Sequence, residues 1–136
     1  MPVVIVGAGG HAKVVCDALL AGGVPESELL GFVDDQPDKW GGNILGFPIL
    51  GNLDSVSAGE VHLAMGIGDN AARQRVFENA KRLGYKFVNV IHPQAVIGRD
   101  CRFGEGIVVF ARAVVNSGTE IGDGVILNTA CSVDHD

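Results

Sequence analysis

Hydrophobic residues change their spacing along this chain, and the change divides it. Val3 to Val6 is an unbroken aliphatic run halted by Gly7, the pattern of a strand buried on both faces of a parallel sheet. His11 to Leu20 then carries Val14, Val15, Ala18 and Leu19 at helical spacing, so strand, glycine turn and helix follow without a break. Leu29 to Val33 predicts a second strand ending at Asp34 and Asp35, and Phe47 to Leu50 a short further one. Val61 to Ile67 is another apolar run. Asn70 to Leu83 sets Val76, Phe77, Ala80 and Leu83 on one side of a helix, with Gly84 as its C-cap. Phe87 to Ile91 predicts the last strand of the series. Residues 1–90 thus alternate strand and helix as a doubly wound, Rossmann-like parallel α/β domain does.

From Ile91 onward an aliphatic or aromatic residue recurs every sixth position: Ile91, Ile97, Phe103, Val109, Val115, Ile121, Leu127 and Val133. Gly98, Gly104 and Gly122 follow three of them directly, and Ala95, Ala113, Val125 and Cys131 lie four residues on. Neither the strand period of two nor the helix period of 3.6 yields six. Such a repeat signals a β-helix in which each short strand turns one residue inward. It also absorbs many of the 20 glycines, whose share is about twice the average usage of roughly 7%.

Composition narrows the function. Hydrophobic residues at 47% and charged residues at 19% supply a packed core. The net charge of −6 excludes a broad polyanion-binding face, so no nucleic-acid partner is expected. Cys16, Cys101 and Cys131 show neither CxxC spacing nor an even count, which points to reduced thiols, no metal site and a cytoplasmic protein. The amino terminus has no basic n-region, and its apolar run is too short for a membrane span.

Gly7-Ala8-Gly9-Gly10-His11-Ala12 fits G-x-G-x-x-G/A between a strand and a helix, with Asp34 and Asp35 following the next strand. Glycines admit a phosphate to the backbone, the helix start offers unpaired N–H groups, and an acid accepts ribose hydroxyls. Any nucleotide diphosphate satisfies these requirements; so does a tight turn with no ligand, in which His11 only caps. Gly66-Ile67-Gly68-Asp69-Asn70 repeats the strand–glycine–helix arrangement and would face the same crevice. Asp69 or Asn70 can serve merely as N-cap, and Arg73 and Arg75 either reach a phosphate or lie on a solvated helix face. At the carboxyl end, Val133-Asp134-His135-Asp136 sets an imidazole two residues beyond an inward position, beside an acid that would raise its basicity.

GAGGHAKVV, GIGDNAAR and VDHD within hexapeptides, in this order, resemble the sialic-acid O-acetyltransferase and nucleotide-4-amino-sugar N-acetyltransferase family of bacterial glycan synthesis, whose repeats form a left-handed β-helix. The resemblance implies three hexapeptides per coil, stacking Ile91, Val109 and Leu127 in one column, Ile97, Val115 and Val133 in the next, and Phe103 with Ile121 in the third. It implies that Gly9, Gly10, His11, Asp34, Asp35 and Gly68 hold a UDP- or GDP-linked amino sugar. It implies that His135 is the general base with Asp136 its partner, and that acetyl-CoA is the co-substrate, bound between subunits of a homotrimer. Transfer would be direct, with backbone N–H groups stabilising the oxyanion; a Cys131 nucleophile is the lesser alternative, since its position suits a packed small residue. Family members continue for several more coils, so a truncated chain, with residues 91–136 only the start of the β-helix and most of the coenzyme site absent, is expected. Two other readings remain: a nicotinamide-dependent oxidoreductase domain, and a non-catalytic binding or trimer-forming module.

Overall fold

In the computed structural model, which describes residues 1–134, the first half is a five-stranded sheet with two long helices. The chain runs β1 (Val3–Val6), α1 (Gly10–Ala21), β2 (Leu29–Val33), β3 (Asn43–Ile44), β4 (Phe47–Gly51), β5 (His62–Met65) and α2 (Asn70–Arg82). Three single 3₁₀ turns punctuate it, at Glu26–Glu28, Pro37–Lys39 and Leu53–Ser55. The strand order is β3-β4-β2-β1-β5, parallel except for the β3–β4 hairpin. The all-aliphatic β1 lies between β2 and β5 and is buried along its whole length, as a run without alternation requires.

Two expectations are corrected here. No α-helix links β2 to β4; that crossover is the turn Pro37–Lys39 and the hairpin strand β3, so the edge of the sheet is not doubly wound. The hairpin turn uses Leu45 and Gly46, both at positive φ (53° and 85°), the two-residue geometry usually signalled by Asn-Gly. Second, the run Phe87 to Ile91 is not one strand. Phe87 makes an isolated parallel bridge to Leu63 at the sheet edge, whereas Val90–Ile91 is β6, the first strand of the repeat.

From β6 every strand is two residues long: β7 (Val96–Ile97), β8 (Arg102–Phe103), β9 (Val108–Val109), β10 (Val114–Val115), β11 (Glu120–Ile121), β12 (Ile126–Leu127) and β13 (Ser132–Val133). They form three parallel sheets, β6-β9-β12, β7-β10-β13 and β8-β11. Ile91, Val109 and Leu127 pair in register, as do Ile97, Val115 and Val133, and Phe103 with Ile121. These are the three expected columns. Between strands the backbone turns through a left-handed residue at every sixth position: Asp100, Gly106, Arg112, Gly118, Gly124 and Ala130, with φ between 60° and 78°. Three of the six are glycine, which adopts that geometry without strain; Asp100, Arg112 and Ala130 adopt it at some cost.

The two halves are joined through β9. Val109 packs inward with Ile107, Val115, Ile121 and Leu127, while Val108 and Phe110 belong to the core beneath the first sheet, with Val90. The join is also polar. Lys81 of α2 donates to both oxygens of Glu105 (2.8 and 3.0 Å), which also accepts the Phe87 amide, and Asn89 bridges Gly104 and Ile107. Glu105 is thereby held below the usual glutamate pKa, chiefly by its bond from Lys81.

Candidate functional site

The carboxyl ends of β1, β2 and β5 bring both glycine loops together. Gly7 sits at φ 106° with its amide donating to Val33 O (2.8 Å); a Cβ there would stand 2.9 Å from Ile67 Cγ1 and 3.0 Å from Gly66 O, so this glycine is required by the fold itself. Gly9 and Gly10 differ. Both are exposed, and a Cβ on either would meet nothing within 4 Å. Gly9 is the N-cap of α1 and offers no side-chain cap, so the first amides of that helix are left for solvent or a ligand.

Asp34 and Asp35, paired by the sequence reading, separate in role. Asp34 Oδ2 accepts the Ala8 amide and Oδ1 the Gln36 amide, both at 2.9 Å, and its carbonyl accepts Trp40 Nε1 (2.8 Å). Its carboxylate therefore ties the glycine loop to the segment after β2. Asp35 is exposed. Beside them lies a cleft of ≈ 390 Å³ with an apolar floor including Val6, Val33 and Val76 and a polar rim of Asp35, Gln36, Arg75 and Asn79. Arg75 thus borders this cleft.

His11, the second residue of α1, is wedged between the second glycine loop and the repeat. A Cβ at Gly68 would come within 3.2 Å of its Cγ, and Phe110 meets its ring edge-on, centroids 5.3 Å apart. Its Nε2 is buried with no hydrogen-bond partner among the described residues. Burial, and secondarily the charge of Arg73, lower its pKa, so the ring is neutral at pH 7. Asp69 is the N-cap of α2, its carboxylate accepting the Ala72 amide (2.9 Å). Arg73 is half-buried and bonds Gly124 O, Gly68 O and Asn70 Oδ1. Nothing in the sequence marked Arg73 as a tie, because two of its three acceptors are backbone carbonyls, one of them 51 residues distant.

His135 and Asp136 lie outside the described residues. The strand before them is held by Asn116, whose amide and side chain both donate to Val133 O, and by the buried Thr119 hydroxyl, 2.9 Å from Asp134 O. Cys131 is partly buried against the repeat core. Among the described residues, no helix is long and apolar enough to cross a membrane.

These features define a mixed α/β protein in which a glycine-loop sheet continues into short in-register parallel strands. Residues 2–80, more than half of the chain, match the family described as PglD N-terminal domain, and the chain belongs to that family. It is 30% identical over 115 residues to UDP-N-acetylbacillosamine N-acetyltransferase of Bacillus subtilis (strain 168), covering 80% of this chain and 51% of that protein. Among solved structures it is similar to the acetyltransferase domain of PglB from Neisseria gonorrhoeae FA1090, at 36% identity and a TM-score of 0.85, covering 99% of this chain and 65% of that one. It is also similar to PerB from Caulobacter crescentus, solved in complex with CoA and GDP-perosamine, at 38% identity and a TM-score of 0.87, covering 100% and 64%. The chain thus spans about half of the curated relative and under two thirds of these structures. The relatives are acetyltransferases by name, which disfavours the oxidoreductase reading.

Proposed function

We propose that this chain is the front of an acetyl-CoA-dependent acetyltransferase acting on a nucleotide-linked amino sugar in bacterial glycan synthesis. Residues 1–90 would be its sugar-nucleotide domain, and residues 91–136 the first coils of a left-handed β-helix. The observation that carries this reading is the uncapped start of α1, where Gly9 and Gly10 leave open space beside a cleft rimmed by Asp35. Diphosphate oxygens at those amides receive charge-assisted bonds, and the nucleoside extends into the cleft, where Asp35 accepts the ribose hydroxyls. Asp34 shapes the loop that does the binding. The neutral His11 and the Cβ-less Gly68 border the sugar end of this path. Names among the relatives support both nucleotide types: one acts in UDP chemistry, another was solved with GDP-perosamine.

The chemistry assigned to the carboxyl end is direct transfer. His135 takes a proton from the sugar amine as nitrogen attacks the thioester carbonyl, backbone N–H groups stabilise the oxyanion, and collapse breaks the C–S bond, the proton passing to the departing CoA thiolate. Asp136 orients the imidazole and raises its basicity. Acetyl-CoA would lie between adjacent subunits of a homotrimer, and the free cysteines suit a reducing cytoplasm.

A thermal-shift screen of UDP- and GDP-linked 4-amino sugars tests the binding half. A ligand at about 100 times its Kd stabilises the chain by about 2.7 kcal/mol. No stabilisation by either class refutes the assignment. In the complete protein, His135→Ala should abolish acetyl transfer while leaving that thermal shift in place.

A further inference from the structure

Arg73 stands in the first turn of α2, yet all three of its guanidinium nitrogens are engaged. Nε donates to Gly124 O (2.8 Å), Nη1 to Gly68 O (3.0 Å) and Nη2 to Asn70 Oδ1 (2.8 Å). The acceptors belong to three segments: a left-handed corner of the repeat, the second glycine loop and the start of α2. A planar fork fixes three acceptors relative to one another, which an ammonium on a flexible stem does not. Gly68, so held, packs on one side of His11, whose ring meets Phe110 edge-on, and Phe110 follows β9 of the repeat. The contacts therefore close a circuit from the repeat through Arg73, Gly68 and His11 back to the repeat.

We propose that Arg73 is a positioning residue that locks the Gly68 loop, and through it the His11 imidazole, in register with the repeat. This rests on the sugar-nucleotide reading above, because the alignment matters where one half of the molecule holds the nucleotide and the other carries the base. Its guanidinium is taken up by contacts within the chain, so the role assigned to it is positioning. The circuit fixes His11 before ligand arrives, so its loss is an affinity cost as well as a stability cost.

The test uses this chain in wild-type form and as Arg73→Lys and Arg73→Ala, with three readouts: the melting temperature, the histidine ring resonances in ligand-free ¹⁵N spectra, and calorimetric titration with UDP and with GDP. Arg73→Lys keeps a positive charge but loses the fork. It should displace the His11 resonances and weaken the nucleotide the wild type binds by about tenfold, the equivalent of one charge-assisted hydrogen bond. Arg73→Ala should do the same and also raise the His11 titration midpoint, since the nearby charge that opposes protonation is gone. Wild-type His11 resonances and affinity in Arg73→Lys, with only a lower melting temperature, would overturn the proposal, and this variant decides the matter if Arg73→Ala fails to fold. Should the wild type bind neither nucleotide while Arg73→Lys still displaces His11, the positioning role stands and the sugar-nucleotide reading falls.

Discussion

Adding one methyl group at Gly9 or Gly10 separates a glycine kept for the fold from one kept for a ligand. Neither position has a neighbour within 4 Å of the new Cβ, and neither has positive φ, so Ala fits the empty loop. At Gly9 the N-cap preference for glycine over alanine offsets any gain, whereas at Gly10, inside α1, alanine's fewer unfolded conformations should stabilise the ligand-free chain by about 0.4–1 kcal/mol. For a protein of this size that raises the melting temperature by about 2–4 °C per kcal/mol. The ligand sees the opposite effect. A methyl at the mouth of the uncapped α1 terminus keeps a phosphate oxygen from at least one amide, and a hydrogen bond to a charged group contributes about 1.5–3 kcal/mol. Sugar-nucleotide affinity should therefore fall about 10- to 100-fold. Fluorimetric melting with and without ligand, paired with calorimetric titration, measures both signs on one sample. Gly9→Ala and Gly10→Ala binding as wild type would show that the α1 terminus is not the phosphate cradle. Gly7→Ala is the control: its positive φ and close neighbours predict lost stability whether or not a ligand binds.

The Glu105 joint should make stability depend on acid. Its folded pKa lies below the unfolded value, so its contribution is complete above the unfolded pKa and disappears as pH falls through the folded one. With both partners about a third or more exposed, Glu105→Gln should cost only about 1 kcal/mol near neutrality and flatten the acid limb of a melting-temperature profile; an unchanged limb would disprove the contribution. Gly31→Ala should be far more damaging, since φ 143° is strained for alanine and the new Cβ would overlap the Pro48 carbonyl oxygen. We expect about 3 kcal/mol or more, read as a lower urea midpoint, because β2 and β4 cannot keep their spacing.

The repeat columns were legible because inward residues obey a strict period and pair only with their own column; Ile91, Val109 and Leu127 appear in the chain as they appear in space. The strand–loop–helix start was legible for a related reason, since Val3 to Gly10 is a local pattern. Phe87 to Ile91 was not, because a short apolar run suits a sheet edge and a repeat strand equally, and tertiary pairing assigned its two ends to different sheets. The left-handed corners carried a signal at every sixth position, but Asp100, Arg112 and Ala130 concealed it among the glycines. In the candidate site, the two glycine loops and the acids after β2 stand out in the sequence by their spacing. What Asp34 and Arg73 do does not, since amide donors and carbonyl acceptors exist at every residue and leave no trace in side-chain identity.

Val108 and Val109 are consecutive and wholly buried, one in each core. Inserting a single residue between Gly104 and β9 would hand each compartment the side chain meant for the other, along with the polar face of the adjoining turn. Evolution can therefore lengthen the far end of the column in units of one coil, yet has almost no freedom to adjust the seam where the column meets the sheet.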